Sequence, residues 1–503
     1  MTLVSRGTAN VERENPMETF DVAVIGAGYG GATVAALLAH AGRRVALVEK
    51  TPRAGGKTQT LERKGYRYEM FGAVGIPAHG SRFHQLVDLL GETDRVPFVV
   101  PEGDAASVWY KAATGEWRHM RSALRQTGTE KEIADLRRVY GATDQDLAAF
   151  GALFGAVVSL EGSDLDALDD VGMLGWIRGF GLSEPLVSQL CVTLNTLFVV
   201  PVNRLAASEA IFTLKQVVLG GTGRYHVGGY GRVAEVAANY VARHGGCYRT
   251  HTRVRRIVIE RGRAVGIETD GGLLHARAVI SNAGIQPTVL RLAGAGHFPA
   301  DYVERVRALE PSWAIAGIRY VLDAPVFDAH LAPIYSDQSW LDDERFTRMQ
   351  HGEWPDVPLI AIDVPSAFDP GLVPVPGHQV ANTQVFCSAD PKSSMGDEAI
   401  ERAQRVVDEL WPDLRQHVIR EERYGAGQIS RMTRDSAMPG CGGEAVGLAQ
   451  VVGQVGKSKP HPRTPLPGLY LVGCDAGGRG AGTHQAVDSG FNVAAMVDDD
   501  LRG

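Results

Sequence analysis

The sequence predicts an α/β fold, with a doubly wound βαβ-type domain built from discontinuous segments and interleaved with a mixed β-sheet and helical domain. Three observations carry this reading. A strand, glycine turn, helix and second strand follow one another over residues 22–50. A glycine turn, a helix and three strand patterns occupy 224–284. A strand, glycine loop and helix close the chain at 468–497. The stretches 76–223 and 296–429 hold no second unit of this type, so they are assigned to the partner domain, and 18–75, 224–295 and 430–500 to the first.

Residues 1–17 are polar, lack a signal-type apolar region and read as a disordered lead. "DVAVIG" then reads as a buried parallel strand, because its apolar run is rich in β-branched residues. "ATVAALLAHAG" carries alanine and leucine at helical spacing and stops at Gly42. "RRVALVEK" is the second strand. Gly26, Gly28 and Gly31 fall in the turn between strand and helix, where residues without Cβ let main-chain N–H groups approach a pyrophosphate. This is a Rossmann-like unit. Glu49 and Lys50 end its second strand, and an acid there suits ribose hydroxyls while disfavouring a 2′-phosphate.

Three further stretches bear on which dinucleotide is bound. "RAGGKTQT" places the Gly55–Gly56 doublet, Lys57 and Thr58 just past Glu49, where they can wrap a second phosphate face. The 224–284 stretch adds a helix from about Arg232 and the strands "RVRRIVIE", "AVGIETDG" and "ARAVISNAG". In the last stretch "LYLVG" leads through Asp475 and a glycine loop to a helix opening near Gly482 and Thr483. That helix N-terminus offers N–H groups and a positive dipole to an electron-rich ring.

Together these stretches resemble the FAD-dependent oxidoreductases of the phytoene desaturase and amine oxidase superfamily. The run "GLAQVVGQVGKSKPHPRTPLPGLYLVG" is most similar to the carotenoid desaturase, carotenoid isomerase and retinol saturase branch. Lys57 stands where the family commonly has arginine, and "CDAGGRGAGTHQ" where carotenoid desaturases typically have a proline-and-glycine loop. The resemblance implies FAD as cofactor. Gly26, Gly28 and Gly31 would hold its pyrophosphate, and Glu49 the adenosine ribose. Gly55, Gly56, Lys57 and Thr58 would line the ribityl–phosphate arm. Val254 would meet adenine through its backbone, Asp475 would hold the ribityl or phosphate region, and Gly482 and Thr483 would face the isoalloxazine.

Composition narrows the remaining classes. A net charge of −7 gives no basic field for nucleic acid. The apolar run at 147–160 is too short to span a bilayer and reads as a buried or interfacial helix. Five scattered cysteines without metal spacing fit a reducing cytoplasm. The apolar helical pattern at 169–200 suggests a tunnel for a hydrophobic small molecule, with peripheral membrane contact left open, while the charged run at 122–140 reads as a solvated face.

His484, on the first turn of the last helix, is the candidate general acid or base; a packing histidine is the bland alternative. Tyr225 and His226 precede the Gly228–Gly229 turn and are weaker candidates for the cavity, and Cys474 reads as a buried structural thiol. The expected activity is hydride transfer at a C–C bond, as desaturation, saturation or isomerisation, with oxygen, a quinone or a nicotinamide as acceptor. Two alternatives stand beside it. One is amine oxidase-type C–N oxidation, disfavoured by an aromatic content of 7%. The other is a non-enzymatic binder of prenylated or lipid partners, because the same fold resembles Rab GDP-dissociation inhibitors.

Overall fold

The computed structural model describes residues 18–72, 81–123, 129–220, 224–433 and 437–503; the 1–17 lead lies outside them. Strand Glu18–Ile25 pairs in parallel with Val45–Val48 on one side and Gly272–Ser281 on the other. The sheet runs Val254–Glu260, Arg263–Thr269, Gly272–Ser281, Glu18–Ile25, Val45–Val48, Cys247–Arg249. Leu469–Leu471 joins the C-terminal half of Gly272–Ser281 in parallel. Both faces are covered, which is why its central strands are continuously apolar. Val22, Val24, Val45 and Leu47 point to one face, under helices Tyr29–His40, Arg232–Arg243 and Gly482–Arg502. Ala23, Ala46, Val48 and Val279 point to the other, under helix Ala300–Ala308. Helix Tyr29–His40 lies between the other two helices of its face, and its Ala32, Ala35 and Ala36 leave room for that close approach.

The second sheet runs Val418–Tyr424, Ala314–Leu322, Gln379–Cys387, Ile360–Asp363, Leu331–Ser336, Ala106–Lys111, Trp117–Ser122. It is antiparallel except where Leu331–Ser336 meets Ala106–Lys111. Every residue of Gln379–Cys387 is buried. The strands of the first sheet all fall in 18–75, 224–295 and 430–500, and those of the second in 76–223 and 296–429.

Two buried side chains tie flanking elements in place. The buried Arg319 guanidinium donates to the carbonyls of Glu69 and Met70 and to Glu422. The hairpin Thr60–Arg63 and Tyr66–Glu69 is thereby clamped to the second sheet. The amide of Asn195 accepts from Leu341 N–H and donates to the carbonyls of Leu341 and Val200, fixing helix Glu184–Phe198.

That helix ends on Val199 in the left-handed region, φ 57°. A β-branched residue is strained there, and such strain persists only where neighbours over-determine it. The Val199 N–H donates to Asn195 and its carbonyl accepts from Trp313. The charged helix Glu130–Tyr140 is solvated as expected, with only Val139 and Tyr140 buried, and starts on a Thr129–Glu132 capping box. The apolar run at 147–160 forms helix Asp144–Ser159, which buries fully only Asp146, Leu153 and Val157, so its opposite face is open. Among the described residues no helix is long and apolar enough to cross a membrane.

Candidate active site

A cleft runs from the C-terminal edge of the first sheet to the helices and second sheet of the partner domain. One wall is main chain. Gly26 has φ 88° and donates its N–H to Val48. Gly28 precedes helix Tyr29–His40 without a side-chain cap, so the first N–H groups of that helix are left for a ligand. Gly55 bridges to Gly28 and donates to the Ala27 carbonyl. The two glycine turns therefore touch: a Cβ on Gly56 would lie 3.2 Å from Gly28 Cα. A Cβ on Gly28 would meet the Asn282 side-chain amide at 2.8 Å, and one on Gly30 would meet Gly473 Cα at 2.8 Å. Only backbone this bare can bring a phosphate so close.

At one end lie Glu49, Lys50, Thr252, Arg253 and Val254. The Glu49 carboxylate accepts from Ala27 N–H (2.8 Å) and from the N–H and hydroxyl of Thr51 (2.9 Å each). These bonds aim it across the glycine turn. Further along, helix Gly482–Arg502 presents its first turn to the cleft with Gly482, Thr483 and His484. The loop before it is held by Ser489, which accepts from Gly473 N–H and donates to the Ala476 carbonyl, and by Glu209, which accepts from Gly480 N–H. Beyond the helix the wall turns aliphatic, with Leu197, Val199, Val217, Ile315 and Met432.

The family model described as flavin containing amine oxidoreductase matches residues 30–498. The chain belongs to this family. The chain is 26% identical to human all-trans-retinol 13,14-reductase over 91% of its own length and 82% of that protein. It is 23% identical to prolycopene isomerase 2, chloroplastic, of an Oncidium hybrid cultivar over 100% and 87%. Among solved structures, an oxidoreductase from Methanosarcina mazei superposes with a TM-score of 0.71 at 20% identity, covering 94% of this chain and 99% of that one. The protein is an FAD-dependent oxidoreductase.

The cleft fits FAD. A channel walled by glycine main chain, with an acid beside one end and a helix N-terminus toward the other, matches an elongated dinucleotide. Gly26, Gly28, Gly55, Gly56 and Thr58 would hold its phosphates, Glu49 a ribose, Val254 the adenine side, and Gly482 and Thr483 the ring. Bound there, FAD supplies hydride transfer. Flavin-stripped protein is expected to gain about 2.7 kcal/mol when FAD is raised to a hundredfold excess over its Kd, read as a rise in Tm. An unchanged Tm would contradict this assignment of the cleft.

Several expected roles change. Gly31 is not on the cleft wall: a Cβ there would sit 1.9 Å from the Gly26 carbonyl oxygen, so its role is to pack the helix onto its own leading turn. Lys57 lines the cleft, but its ammonium donates to the carbonyls of Glu444 and Val446, clipping the C-terminal segment across the opening. Asp475 does not reach the cavity. Its two oxygens accept from Ile285 N–H (2.8 Å) and Leu448 N–H (3.1 Å), which makes it a buried strut behind the wall formed by Gly473 and Cys474. The Cys474 thiol is part of that wall and donates to the Gly482 carbonyl.

Tyr225 and His226 are also off the wall. Tyr225 stacks on Phe368 and donates to Glu69. His226 is enclosed, with neither ring nitrogen bonded among the described residues, and burial lowers its pKa to about 3, so it stays neutral.

The structure adds residues that sequence reasoning missed. Tyr29 and Tyr230 line the cleft; Tyr29 donates to the Tyr230 carbonyl, and the Tyr230 hydroxyl meets Thr483 Oγ1 at 3.0 Å. Asn282 ends strand Gly272–Ser281 at the cleft, the C-terminal sheet edge where ligands bind in open α/β sheets, and that placement was the available signal. Behind Tyr230 lies Glu69, whose carboxylate accepts from the Tyr225 hydroxyl, Tyr230 N–H and the Thr60 hydroxyl. Burial pushes the Glu69 carboxyl up to about 7. Among the described residues no cluster of His, Cys, Asp and Glu is arranged to hold a metal ion.

Proposed function

We propose that the enzyme acts at a carbon–carbon bond of a hydrophobic, unsaturated small molecule. The observation that carries this is the charge of the cleft. Glu49 is the only acid among the described lining residues, and it belongs to the dinucleotide end. The far end offers Leu197, Val199, Val217, Ile315 and Met432, with polar contact from Thr196, Thr213 and Gln384. A substrate ammonium would find no carboxylate there, whereas an apolar chain is favoured by about 25 cal/mol for each Å² buried. The substrates named for the reductase and isomerase relatives, retinol and prolycopene, have this apolar, unsaturated character.

The test is anaerobic. Purified holoenzyme is mixed with retinoid-like and carotenoid-like polyenes, with an amine panel, and with NADH or NADPH, and the visible flavin band is followed. Bleaching by a polyene marks a desaturase. Bleaching by a nicotinamide, with colour returning on polyene addition, marks a saturase. A persistent band with a shifted double bond in the product marks an isomerase. Turnover of amines with peroxide release, and of no polyene, would overturn the reading.

His484 is our candidate for proton transfer. It shares the first turn of its helix with Gly482 and Thr483 and is fixed edge-on against Phe83, ring centroids 5.3 Å apart. His484→Gln is expected to lower kcat by about a hundredfold while flavin is retained. An unchanged kcat would reduce His484 to a packing residue. We assign the enzyme to the cytoplasm, on its reduced cysteines; localisation of a tagged full chain checks this.

A further inference from the structure

The segment "KSKPHPRTP", 457–465, takes no part in the cleft. It forms one side of a separate cavity of about 460 Å³, closed on the other side by helix Ala300–Ala308 and floored by Ile285. Five basic side chains line this cavity: Arg305, Lys457, Lys459, His461 and Arg463. No acid is among its described lining residues. Cations gathered in one concavity repel one another, and a bound anion relieves that repulsion.

The partners of these groups show which are committed. Arg463 forms a two-bond pair with Asp500, at 2.9 and 2.7 Å. Lys459 donates to the Gly478 carbonyl. Arg305 and Lys457 are exposed and have no carboxylate partner among the described residues. Three prolines, Pro460, Pro462 and Pro465, stiffen the segment, so its spacing of cations is held in advance. Tyr302, one turn before Arg305, stacks on Phe298 and lends its ring to the cavity wall.

We propose that this cavity binds a phosphate group, apart from the FAD cleft. Arg305 and Lys457 supply the charge, while Arg463 adds to the field from the rim. Another arginine-rich hollow, around Arg53, Arg67 and Arg232, differs because Asp94 and Glu235 share it and neutralise much of its charge. The size of the cavity suits a phosphate ester or pyrophosphate, from a soluble metabolite or from a lipid headgroup.

The experiment uses holoenzyme, so that the pyrophosphate of FAD already fills its own site. Inorganic pyrophosphate is titrated calorimetrically, and in parallel the protein is sedimented with phosphatidylcholine vesicles with and without phosphatidic acid. Wild type is expected to bind in at least one arm, and the arm identifies the source. The Arg305→Ala/Lys457→Ala double variant is expected to bind about tenfold more weakly or less, with flavin content unchanged. The charge-retaining Arg305→Lys/Lys457→Arg variant separates charge from structure, and it should bind like wild type with Tm unchanged. Failure of both arms would overturn the proposal, as would binding that the double variant leaves intact. Neither result depends on which substrate the enzyme oxidises or reduces.

Discussion

Gly31→Ala is expected to yield protein that retains little or no flavin. A Cβ at this position would lie 1.9 Å from the Gly26 carbonyl oxygen and 3.1 Å from Asn282 Cβ. Neither neighbour can swing away, since one is main chain and the other the root of a side chain between two strands. Helix Tyr29–His40 must therefore shift, and it carries Gly28, Tyr29 and the uncapped N–H groups with it. Overpacking of this kind costs about 1–3 kcal/mol or more, and the misplacement falls on the phosphate-facing turn. Gly151→Ala is the matched control. Gly151 sits within helix Asp144–Ser159 with nothing within 4 Å of its would-be Cβ. That change should stabilise the chain by about 0.5–1 kcal/mol and leave flavin alone. The flavin-to-protein absorbance ratio and Tm decide it. Gly31→Ala purified with a wild-type flavin ratio would sink this account of the turn.

The second large effect is a pH dependence written by Glu69. Its carboxyl has an ordinary value of 4.5 and is pushed up to about 7 by burial, against the opposing hydrogen bonds from Tyr225, Tyr230 and Thr60. The nearby Arg319 does not rescue the charge, because it spends its donors on the carbonyls of Glu69 and Met70 and on Glu422. Between pH 4.5 and about 7 the folded chain keeps a proton that the unfolded chain has released. This stabilisation is complete below 4.5 and disappears as pH rises through about 7. The amplitude is about 3 kcal/mol. Glu69→Gln keeps an oxygen for Tyr225 and Tyr230 and never ionises. It should be more stable than wild type by about 2–3 kcal/mol at alkaline pH and equal to it near the ordinary carboxylate range. Denaturant melts across that span give the comparison, and parallel curves for the two proteins would refute the shift. Glu69 braces Tyr230, which touches Thr483, so the same titration is felt at the helix that opens onto the cleft.

Much of the site was legible in the chain because its rules are local. The Gly26–Gly28 turn, Glu49, the Gly55–Gly56 doublet and the start of the last helix at Gly482 each follow from a few residues of pattern, and each lines the cleft. Elements reached by long-range contacts were not legible. The family resemblance implies a cofactor role for Asp475, yet one of its oxygens accepts from Ile285 N–H, 190 residues away in sequence. Lys57 was assigned to a phosphate, yet it serves Glu444, 387 residues away. Glu69 gave no signal, because a carboxylate's burial depends on Tyr225 and Tyr230 folding over it.

By itself, then, the sequence determined the fold class and the dinucleotide turn, since backbone freedom at glycine and strand–helix alternation are properties of neighbours in the chain, and its resemblance to a flavoenzyme family implied FAD. Tertiary structure alone decided which polar groups face the cleft, that its far end is apolar with its one described acid at the dinucleotide end, and that a basic cavity lies apart from it. A side chain's charge, hydration and partners are set by what packs against it, and those atoms come from distant parts of the chain.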